Sequence, residues 1–389
     1  MVEYENGICR VIGSINGETA PQLEAELREI PFGESITLDF ADVDYISSIG
    51  LRILLRLART GVSVSVINAG STVYEVFEMT GFTEICKVSR ALREISVEGC
   101  EELGRGNTGT VYRIGEDQVV KLYRPGIPLS VVQDEHDRAR NAFVLGIPTA
   151  IPFELVRCGE SFGAVYETMN AVNLGKALQL YPERYDELLD KYVELLRQFN
   201  SAEDKDGRFR NIKDVLREHN ARLKGLVAED IIETSYEIID AMPDGSTLVH
   251  GDLHTGNIML QGDELMVIDM ADMTVGPKSY DFMCLYRNTF QIFQRAESVK
   301  IGEMATSMTK ELAERVWNDL LKRYTGLTDE AAIRQKEGSL ALAAAGTGIA
   351  MAGILPQAAL QKVVPQIEAM ARQRVQPNRE AILKIVASL

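Results

Sequence analysis

The stretch HGDLHTGN, residues 250–257, decides the fold of most of this chain. Two apolar runs follow it, residues 258–260 and 265–268, and the second run ends at Asp269. Asp252, Asn257 and Asp269 therefore cluster around two short predicted strands. Such a set suits phosphoryl transfer, in which a carboxylate takes the proton of an acceptor hydroxyl while an amide oxygen and a second carboxylate hold magnesium. Because turns favour Asp and Asn anyway, ordinary turn residues are the alternative interpretation.

The spacing from Asp252 to Asn257 is that of the catalytic loop of protein kinases, which opens with His-Arg-Asp. Here Gly251 stands in place of the Arg. With His254 and Gly256, the stretch resembles the aminoglycoside phosphotransferase and choline kinase branch of the protein kinase-like fold. The resemblance implies a bilobal α+β fold, ATP and Mg²⁺ as cofactors, and a hydroxyl of a small molecule as the phosphoryl acceptor.

The same resemblance assigns roles to individual residues. It implies that Asp252 is the catalytic base and that Asn257 and Asp269 bind the metal. It also implies that His250 and Asp281 brace the catalytic loop. After Asp269 the chain reads MAD, where protein kinases have Phe-Gly, and no activation segment follows. This difference favours a small-molecule phosphotransferase over a protein kinase.

A glycine-rich segment lies upstream, with Gly104, Gly106 and Gly109 in a G-x-G-x-x-G pattern. A dinucleotide-binding fold uses the same pattern but needs it to open a helix. Here residues 110–114 and 119–123 are strand-like and a turn separates them. The segment therefore predicts a hairpin that covers phosphates, with Val111 in the nucleotide site and Lys121 neutralising the α- and β-phosphates. The alternative for Lys121 is a solvated residue on an edge strand.

The helix after this hairpin carries a candidate partner for Lys121. Residues 130–133, SVVQ, fit a capping box, and the helix is predicted to run to about residue 145. Glu135 in its second turn is the best candidate to pair with Lys121. Its neighbours Asp134 and Asp137 leave a charged, solvated helix face as the alternative.

Residues 161–169 match the strand that leads into the hinge of a kinase, whose backbone would bind adenine. This assigns Glu167 and Met169 to the nucleotide site. We predict an N-lobe over residues 99–170 and a helical C-lobe over residues 171–389, which carries the catalytic loop and the acceptor site. An uncharged stretch, residues 339–360, is long enough to span a membrane, but its glycines favour a pair of buried helices in close contact.

Residues 1–98 alternate strands with helices, which predicts an α/β domain with a mixed sheet covered by helices. The segments ITLD (36–39) and YISSIGL (45–51) resemble the STAS domain of anti-anti-sigma factors. That resemblance implies a regulatory or docking role with a protein partner, and makes Ser48 the candidate for phosphorylation at a helix N-terminus. Alternatively, Ser47 or Ser48 only caps the helix. We also predict a short helix at residues 90–94 in the linker.

Bulk composition excludes some classes of protein. The net charge of −16 argues against nucleic-acid binding, which needs a basic face. The five cysteines show no metal-site spacing, which indicates reduced thiols in a cytoplasmic protein. The N-terminus lacks the pattern of a signal peptide, and we expect no membrane partner.

The sequence thus predicts an ATP- and magnesium-dependent phosphotransferase with an N-terminal STAS module. Two other interpretations stay open. The chain would be a regulatory nucleotide-binding protein that resembles an anti-anti-sigma factor, or a protein serine kinase that acts on a STAS serine.

Overall fold

The computed structural model describes residues 2–5, 7–31, 33–106 and 108–388. Their contacts divide the chain into two compact units. The first unit comprises Met1–Ser96 and Leu155–Glu160, and the second comprises Val97–Glu154 and Ser161–Leu389.

The first unit has a five-stranded sheet in the order β1-β2-β3-β4-β5. Strands β1 and β2 are antiparallel and the other neighbours are parallel. The mixed sheet and its helices confirm the predicted α/β fold. The elements are β1 (Val2–Glu5), β2 (Ile8–Ile12), α1 (Ala20–Glu29), β3 (Ser35–Asp42), α2 (Ser48–Arg59), β4 (Ser63–Ala69), α3 (Ser71–Met79) and β5 (Lys87–Arg90).

Buried apolar residues alternate with more exposed residues along the strands, and the buried ones form the core of this unit. Ile36, Leu38 and Phe40 of β3 are buried, and the residues between them are only partly so. Phe40 also meets Phe77 of α3, with ring centroids 6.0 Å apart. Such an aromatic contact contributes about 0.5–1.5 kcal/mol beyond the burial of its area.

Two details of the first unit differ from the sequence-based expectation. Strand β1 was not predicted, because its segment has little alternation and gains its order from pairing with β2. The linker helix predicted at residues 90–94 is wrong. There β5 ends and β6 (Arg93–Glu94) pairs in parallel with Val156 and Arg157. Cross-strand pairing overrides the weak helix preference of so short a segment.

The second unit opens with an antiparallel sheet. Its strands in the order β11-β9-β8-β7 are antiparallel to their neighbours, and Val111 lies opposite Lys121. This is the predicted glycine-rich hairpin. The strands are β7 (Glu101–Arg105), β8 (Gly109–Arg113), β9 (Gln118–Tyr123) and β11 (Ser161–Glu167). Strand β10 (Pro152–Cys158) precedes β11 in the chain, and its residues from Leu155 onward belong to the first unit.

Helix α4 (Leu129–Val144) lies between β9 and β10 in the chain. The capping box predicted at residues 130–133 is wrong, because the helix already begins at Leu129 and Pro128 occupies the cap position. The backbone of Pro128 is extended, with ψ at 148°, and Ser130 lies within the first turn. Proline fixes φ near the required value and so starts the helix without a side-chain cap.

The rest of the second unit is mainly helical, as predicted. Two small sheets, β12-β14-β15 and β13-β16, hold the catalytic segment. The strands are β12 (Ala171–Asn173), β13 (Thr247–Val249), β14 (Ile258–Gln261), β15 (Glu264–Val267) and β16 (Thr274–Gly276). The helices are α5 (Leu174–Leu180), α6 (Tyr185–Ser201), α7 (Ile212–Ala221), α8 (Glu229–Ala241), α9 (Ser279–Leu285), α10 (Val299–Thr306), α11 (Lys310–Thr325), α12 (Glu330–Met351), α13 (Gln357–Met370) and α14 (Arg379–Ala387).

One helical stretch, Glu330–Ile354, is long and apolar enough to cross a membrane. Of the most apolar 18 residues of this stretch, 56% are buried inside the protein, as is usual for a helix in a protein core. The predicted close helix contact holds for two glycines. A methyl group at Gly346 would lie 2.9 Å from Ile382, and one at Gly353 would overlap the His219 carbonyl. The prediction fails for Gly348, which faces open space.

Candidate active site

The carboxylate of Asp252 is held by side-chain amides from two parts of the chain. Asn288 donates from Nδ2 to Oδ1 at 2.6 Å. Asn257 donates from Nδ2 to Oδ2 at 3.2 Å and to the Asp252 carbonyl oxygen at 2.9 Å. The two amides fix the plane of the carboxylate before any ligand binds, which a base aimed at one hydroxyl requires.

His250 and His254 fix the backbone on either side of Asp252. The Nδ1 of His250 accepts the Asp252 N–H at 3.2 Å, so its protonated Nε2 donates to the Ile268 carbonyl at 3.3 Å. The Nδ1 of His254 accepts the Gly256 N–H at 3.1 Å, and its Nε2 lies 3.5 Å from Asp252 Oδ2. Burial lowers the pKa of His250, which keeps the ring neutral, as this pattern requires.

These neighbours keep Asp252 ionised. Burial acts to raise the pKa of Asp252. The hydrogen bond and electrostatic attraction of His254, together with the hydrogen bond from Asn288, outweigh burial and lower that pKa. The carboxylate is therefore available to accept a proton at neutral pH.

Asp281 lies fully buried under the catalytic turn. It accepts the His250 N–H at 3.2 Å and the Gly251 N–H at 2.8 Å. Burial raises its pKa to about 6, and the two donors oppose that rise. Gly251 has a φ of 81°, and a methyl group there would lie 3.1 Å from the Asp272 carbonyl oxygen. The arginine of protein kinases would be strained at this position.

Lys121 bridges two carboxylates. Its Nζ lies 2.5 Å from Glu135 Oε1 and 3.2 Å from Asp269 Oδ1. The lysine and glutamate side chains are only 17% and 6% exposed. Burial acts to lower the pKa of Lys121, but the charges of Asp269 and Glu135 outweigh it and raise that pKa. The predicted pairing with Glu135 is therefore present, and the neighbouring Asp134 and Asp137 are exposed.

The three glycines of the loop have different structural roles. A methyl group at Gly109 would overlap the Leu122 carbonyl oxygen, so the hairpin itself requires glycine there. Gly106 donates its N–H to the Gly109 carbonyl at 2.8 Å. Gly104 has no heavy atom close enough to oppose a side chain, and Gly106 has none closer than 3.8 Å. No described residue fills the space at Gly104 and Gly106, so phosphates can approach the backbone there.

The predicted hinge follows β11. The Glu167 N–H donates to the Ile151 carbonyl at 3.0 Å, and the Thr168 N–H donates to the Asp117 carbonyl at 2.9 Å. Within the described part of the chain, the Met169 N–H has no hydrogen-bond partner. Of the two predicted hinge residues, Met169 therefore has the free backbone donor.

A cleft of about 1840 Å³ brings these groups together. His250 and Asp281 lie beneath it rather than on its wall. The predicted site residues that line the cleft are Gly104, Gly106, Gly109, Val111, Lys121, Glu135, Glu167, Met169, Asp252, Asn257 and Asp269. A smaller cavity of about 760 Å³ adjoins it and shares Arg138, Ala271, Asp272 and Ile354 with it.

Comparison with known families agrees with this geometry. Residues 99–314 match the model of the phosphotransferase enzyme family, and residues 2–95 match that of the STAS domain. The chain belongs to the phosphotransferase enzyme family and carries an N-terminal STAS domain. A protein of Bordetella bronchiseptica named as an anti-sigma factor antagonist, BtrV, is 39% identical over 85 residues, which are 20% of this chain and 73% of BtrV.

Solved structures resemble this phosphotransferase at low identity. A choline/ethanolamine kinase family protein from Mesorhizobium loti has a TM-score of 0.47 and 15% identity, covering 75% of this chain and 92% of its own. The ADP-bound aminoglycoside phosphotransferase APH(2'')-Ib has a TM-score of 0.45 and 18% identity, covering 81% of this chain and 98% of its own. The family assignment comes from the sequence match.

In the STAS domain, Ser48 is the exposed first residue of α2. Ser47 precedes it as the helix cap, and its hydroxyl accepts the Gly50 N–H at 3.5 Å. The capping alternative is therefore correct for Ser47, and Ser48 is left without that role. Tyr45 and Ile49 beside it are 51% and 42% exposed.

Sequence reasoning missed two residues of the phosphotransferase site. Asn288 lies on a π-helical turn, Tyr286–Phe290, where no motif marks it. Asp272 follows Asp269 by three residues, and only this closeness in the sequence could have indicated that Asp272 belongs to the site. Asp272 faces the cleft and is open to solvent, yet the surrounding protein and the charges of Asp252 and Asp269 raise its pKa to about 6.

The oxygens left free at the site suit a magnesium ion. Asn257 uses its amide nitrogen on Asp252, which leaves Oδ1 for a metal. Lys121 contacts Oδ1 of Asp269, which leaves Oδ2. Among the described residues, no group of three or more His, Cys, Asp or Glu side chains could hold a metal alone. A metal with two protein ligands that is otherwise held by phosphates and water is the usual state of magnesium beside nucleotides.

We expect Asn288→Leu to lower the turnover of the enzyme at least tenfold. It removes a hydrogen bond to a charged group, which contributes about 1.5–3 kcal/mol. Since that bond lowers the pKa of Asp252, the acid limb of the pH–kcat profile should also move to higher pH. The matched control is Asn318→Leu on the exposed face of α11. An unmoved acid limb would mean that Asn288 acts on structure alone.

Proposed function

We propose that the chain transfers the γ-phosphate of MgATP to a hydroxyl group of a small molecule. The observation that carries this proposal is the convergence of Asp252, Asn257, Asp269 and the Lys121–Glu135 pair on one cleft. Each supplies a different requirement of phosphoryl transfer, and the catalysis they provide is mainly positioning and charge neutralisation.

Asp252 would act on the acceptor. Its carboxylate, held by Asn288 and Asn257, accepts a hydrogen bond from the acceptor hydroxyl and takes the proton. A bond forms between the acceptor oxygen and the γ-phosphorus, and the bond from that phosphorus to the β–γ bridging oxygen breaks. ADP leaves with the electron pair of the broken bond, so charge and atoms balance.

The nucleotide would lie across the hairpin and the hinge. Lys121, held by Glu135, neutralises phosphate charge, while the backbone at Gly104 and Gly106 allows phosphates to approach. The free N–H of Met169 and the backbone of Glu167, which line the same cleft, would bind the adenine. Asn257 and Asp269 would hold Mg²⁺, which when bound offsets the charge of the phosphates.

The test is a transfer screen. The purified full-length protein is incubated with γ-labelled ATP, magnesium and a panel of hydroxyl-bearing metabolites, with Asp252→Asn as the control. We expect label in at least one acceptor with the wild-type protein and in none with the variant. Steady-state ADP release, measured in parallel, separates an enzyme from a nucleotide-binding regulator, for which turnover would stay at background.

For the STAS domain we propose docking to a protein partner, with Ser48 as its switch. Ser48 is exposed at the N-terminus of the 12-residue helix α2, where free N–H groups stabilise a phosphate. A phosphate adds a charge of about −1.5 to −2, which is enough to change docking to a charged surface. The exposed Tyr45 and Ile49 offer apolar contacts beside it.

We expect the chain not to phosphorylate its own Ser48, since the acceptor site of the proposed function takes small molecules. Wild type, Asp252→Asn and Ser48→Ala are incubated with MgATP, and phosphate is located by mass spectrometry. Phosphate on Ser48 in the wild type, and not in Asp252→Asn, would contradict this expectation and support the protein serine kinase alternative.

A further inference from the structure

The wall of the cleft beside Asp252 comes from two consecutive segments. Asn288 and Ile292 line it from residues 286–294, and Met304 and Ala305 line it from α10. Since Asn288 bonds Asp252 directly, an acceptor whose hydroxyl reaches Asp252 must lie against this wall. The wall therefore stands beside the Asp252 carboxylate, where the acceptor of the proposed function would bind.

Helix α10 is fixed to the catalytic loop by backbone contacts. The Thr255 hydroxyl donates to the Thr306 carbonyl at 2.8 Å. A methyl group at Gly256 would overlap the Ala305 carbonyl oxygen, and one at Gly175 would overlap the Thr306 carbonyl oxygen. The wall thus stands in a set position relative to Asp252 and does not depend on a ligand to form.

Apart from Asn288, the side chains of this wall are apolar, and one of them is open to solvent. Met304 is 69% exposed, and Ile354, another residue of the cleft lining, is 44% exposed. Ile301, one turn before Met304 on α10, is 55% exposed. Exposed apolar side chains on a helix that lines a cleft are typical of a binding surface, and methionine adapts its shape to an apolar ligand.

The charges of the cleft leave little for a polycation to bind. Glu135 is paired with Lys121, Glu167 lies on the adenine side, and Asp252 and Asp269 serve the reaction. Among the described carboxylates of the cleft lining, only Asp272 remains for the acceptor. The Asp272 carboxylate forms no hydrogen bond or ion pair with a described residue, although the charge of Arg138 acts to lower its pKa.

We infer that the acceptor presents its hydroxyl from an apolar body that packs on Met304 and Ile292, and that it carries at most one cationic group. This inference rests on the proposed function for the direction of phosphoryl transfer. It separates the acceptor from aminoglycosides, whose several ammonium groups need several carboxylates.

A series of 1,2-alkanediols, from propanediol to octanediol, tests the inference by binding. Each is titrated into the Asp252→Asn protein with magnesium and a non-hydrolysable ATP analogue, and kanamycin serves as the polycationic probe. Burial of one methylene contributes about 0.8 kcal/mol, so affinity should rise about fourfold per added carbon. In the same Asp252→Asn protein, we expect Met304→Asp to abolish most of this rise in affinity with chain length. Met79→Asp, at an 87% exposed methionine in the STAS domain, should leave the series unchanged.

The outcomes separate this inference from the proposed function. Three results would each overturn the inference. They are an affinity that does not rise with chain length in the Asp252→Asn protein, the same rise in affinity after Met304→Asp, and tighter binding of kanamycin than of octanediol. Label transfer from ATP to any acceptor by the wild-type protein would still support the proposed function in those cases. If affinity rises steeply with chain length and depends on Met304, but no label is transferred to any acceptor, the apolar subsite would be supported and the proposed function would be contradicted.

Discussion

Asp252→Asn is expected to reduce phosphoryl transfer by about 10²–10⁴-fold, the usual contribution of a positioned general base. The substitution keeps the shape of the side chain. One oxygen becomes an NH₂ group, so only one of the hydrogen bonds from Asn288 and Asn257 is lost. The groups proposed to bind the nucleotide, from Gly104 to Met169, are untouched. Stabilisation of the variant by MgATP should therefore match that of the wild type.

The matched control is Asp244→Asn, at a carboxylate that is 88% exposed in the loop before β13. Its turnover should equal that of the wild type, because Asp244 faces solvent and, among the described residues, pairs only with Lys213. Both variants are measured by kcat for label transfer and by thermal melting with and without MgATP. Turnover of Asp252→Asn within a few-fold of wild type would show that the assigned base is wrong.

The sequence predicted what short, local patterns encode. Asp252, Asn257 and Asp269 lie within 18 residues of one another, and their residue types and spacing can be recognised directly in the sequence. The Lys121–Glu135 pair was predicted because the glycine loop limits where the lysine and its helix lie. The family comparison confirms the predicted fold class of both domains.

What the sequence could not predict depends on contacts between distant segments. Asn288 meets Asp252 across 36 residues, and its π-helical turn has no distinguishing composition. The wall of the cleft beside Asp252 takes its position because Gly256 allows the carbonyl of Ala305 to pack against the catalytic loop. A glycine in the sequence does not tell which backbone will approach it, as the contrast between Gly346 and Gly348 also shows.

Lys121→Met is expected to have two effects that can be separated. It removes the ammonium that offsets the phosphates, so stabilisation by MgATP should disappear. For a ligand at 100 times Kd, that stabilisation is about 2.7 kcal/mol in the wild type. It also leaves Glu135, whose side chain is 6% exposed, as an unpaired buried charge, which costs about 3–5 kcal/mol of unfolding free energy.

The double variant Lys121→Met/Glu135→Gln separates the two effects. Neutralising Glu135 removes the buried charge, so the melting temperature without nucleotide should recover most of the loss. The response to MgATP should remain absent, because the cation is still missing. Lys310→Met is the control, since Lys310 and Glu314 form a solvent-exposed pair that contributes about 0–1 kcal/mol. Stabilisation of the double variant by MgATP equal to that of the wild type would place the phosphates away from Lys121. In that case the hairpin would carry no nucleotide, and the exposed backbone at Gly104 and Gly106 would need another explanation.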